Sequence, residues 1–316
     1  MLIIDSIPEG KRYINVRVSR SQQARINNWD RVHIEFVCVS KKITNAYYIN
    51  GLLAGSECTI RNIPIPNDII SIKLDPVGEF YITAAYLEQY RLSTSFEKKL
   101  MSEQLDCYNG QYFFHYPSQS QPRKLIVTLP GMGNNIDEDT QYALMSMRSF
   151  LFKEDVYRLH MVDFFWANGS CLLLNEDDSD NVENLISLID SILVKSNLLP
   201  SDCYIVTASK GCFAGYEIMK SRSYNFAFFA PITNVDKFNQ SSPVLRFTSR
   251  ELLNKGFRFS KPQFSENVVV YTSLKDPGIE LGLLSKCIKT IDQNLMHAQI
   301  TKQFMGPYLS SNNLVE

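Results

Sequence analysis

Two kinds of hydrophobic patterning divide the chain near residue 110. Before it, apolar and polar residues alternate in short runs, as in Tyr13-Ile14-Asn15-Val16-Arg17-Val18 and Val32-His33-Ile34-Glu35-Phe36-Val37. Successive side chains of a strand point to opposite faces, so this alternation predicts strands with one buried face. Ala46 to Ile49, Cys58 to Ile63, Ile69 to Leu74 and Glu79 to Thr83 are further strand candidates. Turn formers separate them at Pro8-Glu9-Gly10, Asn27-Asn28, Asn50-Gly51, Pro64 to Asn67 and Pro76 to Gly78. Many short strands at close spacing predict a small β-rich, sandwich-like domain over residues 1–85. From Ala84 to about Leu105 the apolar positions Leu87, Tyr90, Leu92, Phe96 and Leu100 fall at roughly helical spacing, which predicts a helical connector over 86–110.

Beyond residue 110 the pattern changes to strands alternating with helical stretches. Lys124 to Leu129 is apolar nearly throughout, as a strand buried on both faces must be. Gln111 to His115, Arg158 to Phe164, Cys203 to Thr207, Phe226 to Ala230 and Val268 to Thr272 are the other strands, and Ala298 to Phe304 is expected to close the sheet. Helices are expected at Gln141 to Phe152, at Asn181 to Leu198 with Ser179 or Asp180 as cap, after the Cys203 strand to about Lys220, and at Gly282 to Asn294. Such alternation is the signature of a mainly parallel sheet with crossover helices on both faces, here over residues 111–316.

Composition narrows the chemistry. Hydrophobic residues make up 45% of the 316 and charged residues 21%, enough to build a sizeable core. A net charge of -1 offers no field for nucleic acid or an anionic membrane, and no apolar run is long enough to span a bilayer. The seven cysteines are odd in number and show no metal-ligand spacing, which points to reduced thiols in a cytoplasmic protein and to no metal site. No cofactor-binding motif is present either; Leu129-Pro130-Gly131-Met132-Gly133-Asn134 lacks the Gly-Lys-Ser/Thr of a nucleotide-binding loop.

The most informative stretch is Cys203-Tyr204-Ile205-Val206-Thr207-Ala208-Ser209-Lys210-Gly211-Cys212. It reads as a strand running through small residues into a helix, with Ser209 on the turn between them. A sharp turn of this kind exposes a serine hydroxyl at the carboxyl end of a sheet; the alternative is a serine that merely caps the helix. Gly131 and Gly133, in the loop after a buried strand, allow backbone N–H groups to face a developing oxyanion. Asp276 follows a late strand, where a carboxylate can orient a base, although Asp-Pro also starts turns for local reasons.

These segments, in this order, resemble the α/β-hydrolase superfamily over residues 111–316. The Ser-Lys-Gly form of the elbow and the β-rich region ahead of it are similar to bacterial capsule-biosynthesis and accessory-secretion proteins of that fold. The resemblance implies a serine esterase or acyltransferase acting on an acyl ester, acetyl above all, of a surface glycan. It gives Ser209 as nucleophile, Met132 and Lys210 as oxyanion donors and Asp276 as the orienting acid. The alternative it leaves is an inactive accessory protein that binds a glycan or a glycosylated partner, with the amino-terminal domain as a surface for a protein partner. The choice turns on the base. The family's histidine follows the last strand, and Phe304 to Ser310 contains none. Of four histidines, only His297 lies beyond Asp276, yet it precedes the expected closing strand and so falls at the far end of the sheet from Ser209. His297 is then a base only if that strand lies elsewhere; otherwise it complements a helix terminus.

Overall fold

The computed structural model describes residues 1–27, 30–49, 52–89, 105–131, 150–163, 170–174, 180–241, 249, 252–253, 256–259 and 261–316. The amino-terminal region is built from β1 (Leu2–Ile4), β2 (Tyr13–Ser19), β3 (Arg31–Cys38), β4 (Lys42–Tyr48), β5 (Glu57–Pro64), β6 (Ile69–Val77) and β7 (Tyr81–Glu88). They form two antiparallel sheets, ordered β1-β6-β3-β4 and β5-β2-β7. In β3 the alternation is complete: Val32, Ile34, Phe36 and Cys38 are buried and the residues between them are not. Their inner faces meet Ile14, Val16, Val18 and Ile60 of the other sheet in one apolar cluster, so the two sheets pack as a sandwich. The expected connector helix does not begin at Ala84, because Ala84 to Glu88 pair with β2 as part of β7. Leu105–Tyr108 is also a strand, and the rest of that stretch, 90–104, lies outside the described residues.

The second region is one eight-stranded sheet. Its strands are β8 (Leu105–Tyr108), β9 (Gln111–Tyr116), β10 (Lys124–Leu129), β11 (Val156–Met161), β12 (Cys203–Ala208), β13 (Asn225–Phe229), β14 (Val268–Ser273) and β15 (Ile288–Asp292). The order is β8-β9-β11-β10-β12-β13-β14-β15, parallel from β11 to β15 and antiparallel only at β8 and β9. The sheet is accompanied by helices α1 (Val182–Lys195), α2 (Cys212–Ser221), α3 (Val235–Ser241) and α4 (His297–Ser311).

Both faces of the sheet are covered. Leu125, Val127, Leu129 and Ile205 point to the side where α1 packs Leu185, Ile186, Ile189 and Leu193 and where α2 packs Phe213 and Ala214. Ile126, Val206, Ala227 and Phe229 point the other way, onto Met305, Tyr308 and Leu309 of α4. The N-cap of α1 is Asn181 rather than Ser179 or Asp180, and the Asp180 carboxylate just before it accepts the N–H of Val182 at 3.0 Å. None of the seven cysteines, all among the described residues, is in a disulfide.

The carboxyl-terminal expectations change. The stretch read as a helix over Gly282 to Asn294 is a short 3₁₀ turn at Leu281–Leu284 followed by β15. The stretch read as a closing strand, Ala298 to Phe304, belongs to α4. β15 is an edge strand with little buried surface, so it shows no strong apolar alternation. In α4 the β-branched pair Ile300-Thr301 and the aromatic Phe304 suit a strand, and Gly306-Pro307 reads as a terminator. Packing decides otherwise, because Ile300, Met305, Tyr308 and Leu309 bury one helical stripe. The expected helix at Gln141 to Phe152 falls almost entirely outside the described residues, and Phe152 pairs with Val315.

Candidate active site

β12 is a central strand of the parallel part of the sheet, flanked by β10 and β13. Its chain leaves the sheet at Ala208 in extended backbone and enters a single 3₁₀ turn, Ser209–Gly211, before α2. Ser209 has φ +46°, a left-handed conformation that a non-glycine residue holds only under constraint. The constraint is steric and local. A methyl at Gly211 would lie 2.5 Å from the Leu129 carbonyl oxygen and 2.6 Å from that of Pro130, so the turn can sit against the end of β10 only with glycine there. Gly131 approaches from the same side, where an added Cβ would meet Ala208 O at 3.2 Å and Ser209 Cβ at 3.4 Å. A strained serine between a central parallel strand and a helix, in a sheet of this order, decides the architecture. The fold is hydrolase-like.

This hydrolase-like elbow departs from the usual Gly-x-Ser-x-Gly at Thr207. Thr207 is fully buried, and its methyl group occupies space left by Gly215, where a Cβ would be 2.7 Å from Thr207 Cγ2. A glycine one turn into the helix therefore replaces the one missing from the strand. Thr207 Oγ1 lies 3.1 Å from the Cys212 sulfur. Burial pushes the Cys212 thiol up to about 12, so this cysteine stays protonated at neutral pH and does not compete with Ser209 as nucleophile.

Asp276 stands in the turn after β14. Its Oδ1 accepts the N–H of Gly278 at 3.0 Å, and its Oδ2 lies 2.9 Å from His297 Nδ1. His297 Nε2 lies 2.7 Å from Ser209 Oγ. With its proton on Nδ1, the imidazole donates to the buried carboxylate and accepts the serine hydroxyl proton. The sequence reading put His297 at the far end of the sheet; the structure corrects this. The last strand is β15, and His297 follows it as the first residue of α4, at the same edge as Ser209 and Asp276.

The local chain explains how His297 gets there. The Asp292 carboxylate, at the end of β15, accepts the N–H groups of Asn294 and Leu295 at 2.6 and 2.7 Å. Those two bonds hold the Asp292 carboxyl below its usual range. The Gln299 side chain accepts the N–H of Met296 at 2.8 Å, closing the start of the helix. The Leu274 N–H donates to the Asp292 carbonyl at 2.9 Å and ties this turn to the Asp276 loop. Phe238 of α3 packs its ring 5.1 Å from the imidazole centroid and lies against Gly278. Thr233 Oγ1 accepts the Glu280 N–H at 2.7 Å, so the segment after β13 is fastened to the Asp276 loop as well.

Of the other residues singled out in the sequence, Lys210 is buried behind the elbow and pairs with Asp163 at 2.7 Å. Met132 and Gly133 lie outside the described residues. His33 is in β3, His115 in β9 and His160 in β11, where its Nδ1 meets Thr128 Oγ1 at 2.9 Å. Sequence reasoning missed Asp292, Phe238 and the Lys210–Asp163 pair. Asp292-Gln293-Asn294 carries a turn signal, whereas nothing in the sequence marks Phe238.

No family model matches the sequence, and no curated protein matches it. Solved structures do. A chain of the Glycosylation Associate Protein complex of Streptococcus agalactiae is 13% identical with a TM-score of 0.46; the match covers 96% of this chain and 65% of that one. The capsule O-acetyltransferase of Neisseria meningitidis serogroup A is 13% identical with a TM-score of 0.46, over 66% of this chain and 93% of that one. The acylaminoacyl peptidase of Pyrococcus horikoshii is 11% identical with a TM-score of 0.46, and this chain spans 53% of its length. The hydrolase-like assignment rests on the strand order and the elbow.

Proposed function

We propose that this protein is a serine esterase or acyltransferase. The observation that carries the reading is the continuous hydrogen-bonded series from Asp276 through His297 to Ser209, at 2.9 and 2.7 Å. In this reading Ser209 Oγ attacks the acyl carbonyl carbon while its proton passes to His297 Nε2. Asp276 holds the imidazole tautomer and stabilises the imidazolium. The N–H groups of Lys210 and Met132 receive the charge on the carbonyl oxygen. The imidazolium then protonates the departing alkoxide, leaving an acyl-serine. Water or a sugar hydroxyl, deprotonated by the same imidazole, attacks that ester and releases Ser209.

The accessory reading drew its support from a missing base. An imidazole within hydrogen-bond reach of Ser209 removes that support and favours turnover. The acyl group we assign is acetyl and the acceptor a glycan hydroxyl, following the similarity of the Ser-Lys-Gly elbow to capsule and accessory-secretion proteins. The test is reaction with a fluorophosphonate probe and turnover of p-nitrophenyl acetate. Wild type is expected to label and to turn over, and Ser209→Ala to do neither. Equal signals from the two proteins would end the serine-enzyme reading.

A further inference from the structure

The elbow has a buried charge pair behind it that the proposed triad does not use. Lys210 Nζ lies 2.7 Å from Asp163 Oδ2, and the two side chains are 3% and 1% exposed. Asp163 follows β11, the strand beyond β10 from the elbow. Its other oxygen accepts the N–H of Ser170 at 2.7 Å and lies 3.2 Å from the Ser170 hydroxyl. The segment after Ser170 is held in turn. Cys171 and Leu172 have φ +60° and +59°, and Asn181 donates from its side chain to the Leu172 carbonyl at 3.1 Å and from its backbone to that of Leu173 at 3.0 Å. The carboxylate therefore sits in a framework that fixes its position from several sides.

Desolvation makes a buried ion pair a poor source of stability, and apolar residues of similar volume often serve a fold as well. What the pair adds is direction. Lys210 is the residue after the nucleophile, and its own peptide N–H is the oxyanion donor in the reading above. Its side chain is buried and ends at a fixed point on the loop after β11. We propose that the Lys210–Asp163 pair is a positioning device that sets the Lys210 peptide, and with it the oxyanion donor, relative to Ser209. The inference rests on the serine-enzyme reading and extends it to two side chains that touch neither substrate nor the reacting atoms. Oxyanion stabilisation depends on donors aimed at where charge develops, so a small rotation of this peptide is felt in the transition state more than in the ground state.

The experiment compares Lys210→Met/Asp163→Leu, an apolar replacement of the pair, with Asp163→Asn and wild type. Melting temperature, kcat and KM on p-nitrophenyl acetate, and the rate of fluorophosphonate labelling are measured for each. The double variant is expected to melt close to wild type, to keep KM within about twofold and to lose about 10- to 100-fold in kcat, the scale of a misplaced reacting group. A double variant that melts and turns over like wild type would make the pair a packing element and overturn the inference. If the double variant does not fold, Asp163→Asn decides: a lowered kcat at constant KM supports the device, and an unchanged kcat overturns it. Wild type that fails to label removes the serine-enzyme reading and this inference together; wild type that labels beside an unaffected Asp163→Asn removes this inference alone.

Discussion

His297 Nε2 stands 2.7 Å from Ser209 Oγ although 88 residues separate the two in the chain. Nothing between them in sequence is continuous; the contact is made because β15 returns the chain to the edge of the sheet from which Ser209 projects. His297→Ala should therefore lower kcat on an aryl acetate by about three powers of ten or more, the scale for losing one member of such a triad. The imidazole side chain is 20% exposed and fills no core position, so the melting temperature should change little. A variant with wild-type turnover would show that another group takes the proton.

Asp276→Asn offers a finer test. The asparagine oxygen can keep the Gly278 N–H that Asp276 Oδ1 now accepts at 3.0 Å, so the loop should hold its shape. The amide would instead turn an N–H₂ toward His297 Nδ1, favouring the tautomer that cannot accept from Ser209. We expect a loss of up to about 10⁴ in kcat, with folding intact by circular dichroism.

Gly211→Ala tests the elbow itself. Its Cβ would lie 2.5 and 2.6 Å from two backbone oxygens at the end of β10, which no rotamer change can relieve. The chain must shift, at a cost of about 1–3 kcal/mol, typical of overpacked sites. Denaturant unfolding should report that loss, and fluorophosphonate labelling of Ser209 should slow even where the variant is still folded.

The Asp292 carboxylate sets an acid limit on the turn that delivers His297. Its carboxyl is held below the usual range by the N–H groups of Asn294 and Leu295, so ionised Asp292 favours the folded state. That contribution is complete above the ordinary carboxylate pKa and is lost as pH falls through the lower folded value. Asp292→Ala should melt below wild type at pH 7, and the gap should close as the pH is taken down through 4 toward 3. A gap that persists at pH 3 would assign the effect to packing.

The carboxyl-terminal end of the sheet shows where sequence pattern reaches its limit. Strands such as β3 and β10 were legible because their burial is set by neighbours on fixed faces, which writes a period of two or a continuous apolar run into the residues. The elbow was legible because a strained turn against β10 demands small residues at defined offsets, Ala208 and Gly211. Ser209 and Asp276 could be named for that reason, each sitting directly after a readable strand.

What the residues alone determined was therefore the succession of buried strands, the turn that carries Ser209 and the order Ser209, Asp276, His297 along the chain. What only the tertiary structure decided was the identity of the last strand, and with it the side of the sheet on which His297 falls. β15 is an edge strand with few buried positions, and the Ile300-to-Phe304 stretch fits a strand or a helix equally by local pattern. Burial of Met305, Tyr308 and Leu309 against Ile126, Val206 and Phe229 selects the helix. The strand then has to end at Asp292, and the imidazole arrives at the serine. Local propensity is weak at such an edge, and burial of apolar area across a sheet face outweighs it.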